Sequence, residues 1–429
     1  MTTRGGDFDG IICIGGEDWW YHNRGHFDFQ IMRRIARTWP VLFVNSLGVR
    51  MPSASEGRKF LARIGRKMRS LGNGLVNVEN KFWVFSPLAV PGAAGLKLSS
   101  WALAPQIRLA AAMAGIRRPL LWVHCPAGAA LVEQIPSAAV VLQRTDRFEA
   151  FPEASGTLVA EQIRMLKQRA DLVVYAAPHL MAEEIGTVHK QLLVTHGADV
   201  AAFAEAGRML GCPSAAHQQP GTLSRPSAAH QQPGVPSGPS AAHQQPGDVA
   251  GLPRPRVGFV GGLDAHTFDP ALFLDVAARL PEATFMLVGG SSLPPGWCTL
   301  PNVHLLGRKP YDSVARYMAA ADVLIMPWND SEWIRACNPI KLKEYLATGR
   351  PVVTTDFQAL DGWRDVVTVA TGPEAFAAAI RQALAAPGNR DGIVERLATE
   401  TWDAKAQLVQ SGILGLGLRF AETELASAA

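Results

Sequence analysis

One segment of the chain places a lysine and a glutamate where a nucleotide could be bound. In residues 338–353, Asn338 is a good N-cap, Pro339 suits the first helical position, and Gly349 is suited to end the helix. Lys341 then falls in the first turn, where a cation opposes the helix dipole and costs stability unless an anion is present. The free N–H groups of a helix start, together with this lysine, favour binding of a diphosphate.

Glu344 follows Lys341 by three residues, which places both side chains on one helix face. A carboxylate at this point can accept hydrogen bonds from the two hydroxyl groups of a ribose. The alternative is an ordinary pair of charges on a surface helix. The nucleotide-binding interpretation is favoured by the order of the elements here, which is strand, loop, helix, glycine and strand.

The elements that must position these residues are short apolar runs that end in loop residues and alternate with helical stretches. This pattern is typical of parallel βαβ units. The predicted strands are 10–14, 41–44, 120–123, 140–142, 172–175 and 192–194 in the first half, and 256–260, 284–288, 303–305, 323–326 and 352–354 in the second, with helices at 312–320 and 339–347. Gly261 and Gly262 follow a strand directly, and their backbone allows a phosphate to approach closely.

We therefore predict an α/β protein with two doubly wound, Rossmann-like domains, whose ligands bind beyond the carboxyl ends of the strands, in the cleft between the domains. The first domain spans 1–205 and the second spans 253–395. The intervening residues 206–252 contain the sequence PSAAHQQPG three times, at a period of 13 residues. This composition has few apolar anchors and predicts a disordered linker.

The composition excludes several classes of protein. Of 429 residues, 48% are hydrophobic and 18% charged, which excludes a disordered chain and allows two or three domains. The net charge of +4 gives no reason to expect a nucleic-acid partner. Five scattered cysteines without a CxxC pair argue against a disulfide framework or a zinc site and favour a reducing compartment. Because the N-terminus lacks a signal-peptide pattern and no apolar run reaches about 20 residues, we expect a cytoplasmic protein.

Residues 338–353 resemble the donor-binding segment of GT-B glycosyltransferases of the group-1 (GT4-like) class. Residues 307–328 are similar to the family's run "LGxxPxxxLxxYxxxADVxLxP", and residues 16–28 resemble the opening of bacterial cell-surface polysaccharide glycosyltransferases of the teichuronic-acid and xanthan type. The resemblance implies a GT-B fold and a nucleotide-diphospho-sugar donor. It also implies that the last helices, at 396–429, cross back to the first domain. The donor-binding residues expected from these arguments are Gly261, Gly262, Asn338, Lys341 and Glu344.

Two positions depart from the family's pattern. Members commonly have two glutamates eight residues apart, but Ala336 stands at the first position, so only Glu344 carries over. Many members also have an arginine and a lysine after the first strand of the donor domain, and the loop 261–267 has neither. Neutralisation of the phosphates therefore rests more on Lys341, and retention or inversion of the sugar's configuration stays open.

Asp146 is the candidate catalytic residue on the acceptor side. It lies in a loop, 143–152, that resembles the "D-x-x-D-x-F-x-x-F" loop of the xanthan-type enzymes, in which an aspartate is the base. The alternative is that Asp146 caps the next helix or pairs with Arg144 or Arg147. The other acceptor-side candidates lie in the first βα loop and are Gly16, Glu17, Asp18 and His22.

A basic segment, 58–69, carries six cations and no acid, with Phe60, Ile64 and Met68 recurring every four residues. This pattern is typical of an amphipathic helix that binds an anionic membrane surface. The alternative is an ordinary helix with a solvated basic face. The residues expected at the membrane are Arg58, Lys59, Arg63, Arg66 and Lys67.

Together these features predict a glycosyltransferase that moves a sugar from a nucleotide-diphospho-sugar to a saccharide or lipid-linked acceptor in cell-surface polysaccharide synthesis. We expect no cofactor besides the co-substrate and, because no DxD pair lies in a suitable loop, no metal. The enzyme would be cytoplasmic, at the inner face of the plasma membrane if the basic segment binds there. The alternatives are a GT-B sugar-nucleotide epimerase or phosphorylase, or a non-catalytic membrane-surface scaffold. The sequence leaves the sugar, the base and the acceptor open.

Overall fold

A computed structural model gives the fold of most of the chain. The described chain divides into two compact units, of which one comprises 1–197 and 402–429 and the other 198–401. The residues that the structure describes are 6–21, 26–46, 65, 69–88, 93–145, 147–150, 156–210, 245–331, 334, 338–386 and 392–421.

The first unit is built on an eight-stranded sheet in the order β4-β5-β3-β2-β6-β7-β8-β9 and a short parallel pair, β1 and β16. Its strands are β1 (Asp7–Phe8), β2 (Gly10–Ile14), β3 (Val41–Val44), β4 (Leu75–Glu79), β5 (Phe82–Phe85), β6 (Pro119–Val123), β7 (Val140–Arg144), β8 (Leu172–Tyr175), β9 (Gln191–Leu193) and β16 (Arg419–Phe420). Its helices are α1 (Phe27–Ile35), α2 (Ala93–Met113), α3 (Ala129–Val132), α4 (Gly156–Arg169), α5 (Pro178–Glu183) and α13 (Trp402–Leu414).

The second unit has a six-stranded sheet in the order β12-β11-β10-β13-β14-β15, and every pairing in it is parallel. Its strands are β10 (Arg256–Val260), β11 (Thr284–Val288), β12 (Val303–Gly307), β13 (Val323–Met326), β14 (Val352–Thr354) and β15 (Thr368–Val369). Its helices are α6 (Val200–Met209), α7 (Gly247–Ala250), α8 (Pro270–Ala278), α9 (Tyr311–Ala319), α10 (Ile340–Ala347), α11 (Pro373–Ala385) and α12 (Ile393–Thr399).

The predicted parallel α/β architecture is confirmed in both units. The central strands are buried along their whole length, as in β2, β6, β10 and β11. A strand that is covered on both faces needs an uninterrupted apolar run, which is why the sequence pattern found these strands. Strands β4 and β5 were not predicted. They form an antiparallel hairpin in which no residue of the edge strand β4 is buried, so the apolar pattern of β4 is weak, whereas Phe82 and Val84 of β5 are fully buried.

The predicted bounds of the linker, 206–252, are wrong at both ends. Helix α6 runs to Met209 with Phe203 and Ala206 buried, and helix α7 buries Val249 completely. Gly207 lets α6 approach α10, since a Cβ at Gly207 would lie 2.1 Å from the carbonyl oxygen of Thr348. These contacts place both linker ends in the second unit. The repeats themselves, within 211–244, lie outside the described residues.

The chain returns to the first unit at Trp402, whereas helix α12, at Ile393–Thr399, belongs to the second unit. In the first unit, Trp402 is fully buried and packs against Phe27 and His196. Asp403 pairs with Arg34 of α1 at 3.1 Å. None of the helices that the structure describes is long and apolar enough to cross a membrane.

Candidate functional site

The strand order of each sheet determines where ligands can bind. In the second unit the order reverses between β10 and β13, and in the first unit it reverses between β2 and β6. A crevice opens beyond the carboxyl ends of the strands at such a reversal, because the adjoining loops turn away in opposite directions. Gly261 follows β10 and Gly15 follows β2, so each sheet has a glycine at its reversal point.

Helix α10 begins one residue later than predicted. Pro339, not Asn338, is the N-cap, with φ −74° and ψ 120°, and the helix begins at Ile340. The extended ψ of Pro339 keeps it outside the helix, and the Pro339 side chain makes no capping hydrogen bond. Asn338 therefore precedes the cap, and its predicted capping role is wrong. Lys341 is still in the first turn, as predicted.

Lys341 and Glu344 form an ion pair on the same helix face. The Lys341 Nζ donates to Glu344 Oε2 at 2.6 Å, and the Tyr311 hydroxyl donates to Glu344 Oε1 at the longer distance of 3.4 Å. The Glu344 side chain is fully buried, whereas that of Lys341 is 27% exposed. The anion that this lysine needs in the first turn is thus already supplied by the protein.

Tyr345 fixes this helix to the first strand of the sheet. Its hydroxyl oxygen accepts a hydrogen bond from the backbone N–H of Val260 at 2.7 Å, across 85 residues of sequence. Burial raises the pKa of Tyr345, which therefore stays a neutral phenol. Because Val260 immediately precedes Gly261 and Gly262, this bond holds the loop of the two glycines next to the helix that carries Lys341 and Glu344.

The loops after β10 and β11 pack against each other through glycine backbone. A Cβ at Gly289 would lie 1.7 Å from the carbonyl oxygen of Gly261, so the contact requires glycine. The backbone N–H of Gly261 donates to Val288, and that of Leu263 donates to Gly290, at 3.0 and 2.9 Å. The result is a rigid edge of backbone at the reversal point of this sheet.

Arg308 is a candidate that the sequence analysis missed. It follows β12, yet its guanidinium nitrogens lie 3.8 Å from the position that a Cβ of Gly290 would occupy. Arg308 is exposed, and no described carboxylate lies within ion-pair distance of it. The nearby Asp264 instead brings a negative charge, since its Oδ2 lies 2.5 Å from a Cβ built at Gly262. The only sequence signal for Arg308 was a cation directly after a glycine that ends a strand.

The first unit brings together a histidine and an aspartate that the sequence analysis did not single out. His124 follows β6, and its Nδ1 lies 2.9 Å from Oδ2 of Asp28, which is in the first turn of α1. The His124 Nε2 lies 3.2 Å from the hydroxyl of Thr145 after β7. Gly16, a predicted acceptor-side residue, lies against this pair, because its N–H is 3.4 Å from Asp28 and a Cβ would be 3.0 Å from the imidazole ring.

The other acceptor-side candidates differ in their surroundings. Asp18 is buried and accepts hydrogen bonds from Ser70 at 2.6 Å and from the backbone of Trp20 at 3.0 Å, which indicates that it stabilises the loop. Glu17 is half-buried, and its carbonyl accepts from the backbone of Ser46. The candidates that lie outside the described residues are His22, Asp146, Arg58, Lys59, Arg63, Arg66 and Lys67.

The two arginines that flank Asp146 have other carboxylate partners. Arg144 is fully buried and contacts Glu149 at 2.9 Å and Glu184 at 2.7 Å, while Arg147 pairs with Glu183. The Arg144 guanidinium lowers the pKa of Glu149 against the effect of burial, which would raise it. These ion pairs hold both ends of the segment in which Asp146 lies.

The comparisons with known proteins agree with this geometry. The family model for group 1 glycosyl transferases matches residues 254–386. The matched residues all lie in the second unit and include β10, the two glycines, Arg308 and helix α10. A curated relative, the teichuronic acid biosynthesis glycosyltransferase TuaH of Bacillus subtilis (strain 168), is 35% identical over 105 residues. That alignment covers 23% of this chain and 26% of the relative, so the chain spans about a quarter of that protein's length.

Solved structures match the chain over both units. The sucrose-phosphate synthase of Thermosynechococcus elongatus aligns over 95% of this chain and 98% of its own, with a TM-score of 0.62 and 16% identity. A UDP-forming trehalose-phosphate synthase of Burkholderia vietnamiensis aligns over 95% and 99%, with a TM-score of 0.58 and 12% identity. Anabaena HepE in complex with UDP aligns over 95% of this chain and 96% of its own, with a TM-score of 0.50 and 14% identity. At these identities the likeness is one of fold, and the fold is GT-B, with two Rossmann-like domains.

Proposed function

We propose that this protein is a glycosyltransferase that moves a sugar from a nucleoside diphosphate sugar to a hydroxyl of a saccharide or lipid-linked acceptor during synthesis of a cell-surface polysaccharide. The observation that carries the proposal is the bond from Val260 to Tyr345, which joins the double-glycine loop of the group 1 domain to the helix of Lys341 and Glu344. The local relation to a teichuronic acid biosynthesis glycosyltransferase supports the cell-surface pathway.

The second unit would bind the diphosphate of the donor with backbone and cations together. The N-cap residue of α10, Pro339, makes no side-chain capping hydrogen bond, so the first N–H groups of the helix favour an anion. The glycine backbone at 261 and 289 is closely packed at the same edge of the sheet. Lys341 supplies charge, but Glu344 already neutralises much of it at 2.6 Å. Arg308 therefore provides the further positive charge that a diphosphate needs.

Glu344 would hold the ribose through an exchange of partners. Among the described residues, its Oε1 contacts only the Tyr311 hydroxyl, at 3.4 Å, whereas Oε2 has the short contact with Lys341. A ribose hydroxyl that displaces Tyr311 gains a charge-assisted hydrogen bond without breaking the ion pair. Lys341 thus keeps the carboxylate in place while the ribose binds.

The reaction needs charge stabilisation on the departing diphosphate and removal of a proton from the acceptor. The cations of the second unit would stabilise the charge on the diphosphate without a metal. Asp146 stays the sequence-based prediction for the group that removes the proton from the acceptor. The acceptor and the anionic membrane surface belong together in this proposal, because a lipid-linked acceptor would bring the enzyme to the cytoplasmic face of the plasma membrane. An enzyme that needs no metal keeps its activity in excess EDTA.

The test is binding of nucleotides, measured by isothermal titration calorimetry with UDP, GDP, dTDP and the matching glucose conjugates. We expect one nucleoside diphosphate to bind and Arg308→Gln to weaken it about tenfold, the loss of one charge-assisted hydrogen bond. The matched control is Arg279→Gln, an exposed arginine at the end of α8 in the same unit. If no nucleotide binds, the donor site is wrong. If Arg279→Gln weakens binding as much as Arg308→Gln, the effect is only one of net charge.

A further inference from the structure

Helix α2 of the first unit is apolar on its exposed face as well as on its buried face. The buried face packs into the core of this unit through Leu103, Ile107 and Ala110. Within 101–113, seven positions are exposed, and Arg108 alone among them is polar. The other six are Trp101, Ala102, Pro105, Leu109, Ala112 and Met113. A helix at the surface of a protein normally has polar residues on its outer face, so this face indicates an apolar partner.

Four large side chains dominate this outer surface. Trp101 is 78% exposed, and Leu109 and Met113 are each 65% exposed. They follow one another at intervals of eight and four residues, which places them on one side of the helix. Leu88 is 72% exposed and lies beside the helix, because its backbone N–H donates to Oε1 of Gln106 at 3.1 Å and its carbonyl oxygen accepts from Nε2 at 3.4 Å. We call these four side chains the α2 face.

The charged residues of the segment that carries the α2 face are all basic. The sequence contains no aspartate or glutamate between Glu79 and Glu133. Arg108 and Arg117 are exposed, and no described carboxylate lies within ion-pair distance of either. An apolar strip with cations beside it complements the surface of a bilayer that contains anionic lipids, which is negative outside and apolar beneath. Tryptophan is itself enriched where water meets lipid.

The size of this strip suits a lipid surface better than a second copy of the chain. Residues 101–113 extend about 20 Å along the axis at about 1.5 Å per residue, and a helix is about 10 Å wide, so the strip measures roughly 200 Å². A stable protein–protein interface buries about 800 Å² on each partner. A bilayer requires no complementary surface, so the insertion of a few apolar side chains is enough for it to contribute affinity.

We propose that the α2 face inserts among the head groups of a bilayer with anionic lipids and holds the first unit at the membrane. Leu88 follows the end of β5 by three residues, so this contact begins at the carboxyl edge of the sheet, where ligands of such sheets bind. A lipid-linked acceptor would therefore reach that edge from the membrane. The inference rests on the proposed function for this acceptor. It adds apolar insertion to the attraction expected of the basic segment 58–69, and stable peripheral binding needs two such signals.

The first test measures co-sedimentation of the full chain with vesicles of phosphatidylcholine and phosphatidylglycerol. The variant combines Trp101→Ser, Leu109→Ser and Met113→Ser. We expect its partition coefficient to fall about 100-fold, because each partly inserted side chain contributes a factor of about five. The dependence of binding on salt concentration should stay that of the parent protein, since the substitutions remove no charge.

The matched control changes three exposed apolar residues on other elements of the same unit. These changes are Ile185→Ser, Leu408→Ser and Leu414→Ser. The control variant should bind the vesicles as the parent protein does. An equal loss in the control, or unchanged binding of the variant in the α2 face, would overturn the proposal.

The second measurement keeps the α2 face intact, so it does not depend on how serine affects the helix. The protein is labelled with 5-fluorotryptophan, and the ¹⁹F resonance that is lost in Trp101→Phe is assigned to Trp101. Nanodiscs of the same lipids that carry a nitroxide-labelled lipid should broaden this resonance, compared with nanodiscs without nitroxide, and should leave a fully buried tryptophan such as Trp122 unaffected. A Trp101 resonance that stays sharp on protein bound to the nanodiscs would overturn the proposal.

The outcomes separate this inference from the proposed function. If a nucleoside diphosphate binds in calorimetry but the vesicles do not bind, the α2 face is not a membrane surface and the donor site stands. If the vesicles bind through the α2 face but no nucleotide binds, the proposed function fails and the lipid contact stands. Sedimentation velocity without lipid tests the other occupant, because a dimer that the α2 substitutions dissociate would assign this face to a second copy of the chain and overturn the proposal.

Discussion

Replacing Lys341 tests whether its pair with Glu344 also stabilises the fold. Two effects oppose each other in Lys341→Met. Removing a cation from the first turn of α10 relieves its repulsion with the helix dipole, which is worth about 0.3–1 kcal/mol. Within the part of the chain that the structure describes, the same change leaves the carboxylate of Glu344, which is fully buried, with only the 3.4 Å contact to Tyr311.

The loss of the pair should prevail. Breaking a fully buried ion pair by removing one partner costs about 3–5 kcal/mol. Because the Lys341 side chain is 27% exposed, water replaces part of the lost interaction, and we discount the cost to about 2.5 kcal/mol. Subtracting the dipole effect leaves a net destabilisation of about 2 kcal/mol. For a unit of this size that corresponds to a fall in Tm of about 4–8 °C.

The assay is thermal and urea unfolding without ligand, followed by circular dichroism, for Lys341→Met, Glu344→Gln and the double variant. Glu344→Gln removes the buried charge while keeping the shape of the side chain. The double variant should therefore be more stable than Lys341→Met alone, which shows that the cost comes from the stranded carboxylate. A rise in Tm for Lys341→Met would refute the reasoning, because it would mean that relief of the repulsion between Lys341 and the helix dipole outweighs the loss of the ion pair with Glu344.

Three further predictions concern other parts of the chain. Gly289→Ala should cost about 3 kcal/mol of unfolding free energy and abolish nucleotide binding, since its Cβ would lie 1.7 Å from the Gly261 oxygen. The control is Gly362→Ala in the same unit, because a Cβ there would meet no atom within 4 Å, and an equal loss in both variants would contradict the packing argument. The pKa of Asp28 is lower in the folded protein than its ordinary value near 3.8. The ionised carboxylate therefore stabilises the fold fully above that ordinary pKa, and this stabilisation is lost as the pH falls through the pKa of the folded protein. Between pH 5 and pH 2, measured by urea unfolding, Asp28→Asn should therefore lose less stability than the parent protein, and an equal or steeper loss would exclude the ionised pair. The basic segment 58–69 should bind vesicles with anionic lipids at low salt and release them at high salt. Most of this binding should be lost when four residues are changed to Gln, namely Arg58, Lys59, Arg66 and Lys67. If that variant co-sediments with the vesicles as the parent protein does, this segment is not the membrane anchor.

The sequence by itself determined the strands at the centre of both sheets. Runs such as Arg256–Val260 and Gly10–Ile14 are apolar because the strands are buried on both faces, and this requirement is local and readable. The spacing of Lys341 and Glu344 likewise follows from the helical period alone. The glycines at 261 and 262 were also readable, because they follow a strand directly. Helix α10 was predicted to within one residue at its start, where the extended Pro339 decides the boundary.

Only the tertiary structure decided which residues these elements bring together. The pair of Asp28 and His124 joins positions 96 residues apart, and the bond from Val260 to Tyr345 spans 85. Such contacts depend on which strands are neighbours, and the hydrophobic pattern of a strand does not specify its neighbours. Arg308 is likewise brought to the glycine loop only because β12 and β11 are adjacent and parallel. The chemistry of both candidate sites is therefore set by the order of the strands, which places the ends of distant segments at one edge of each sheet.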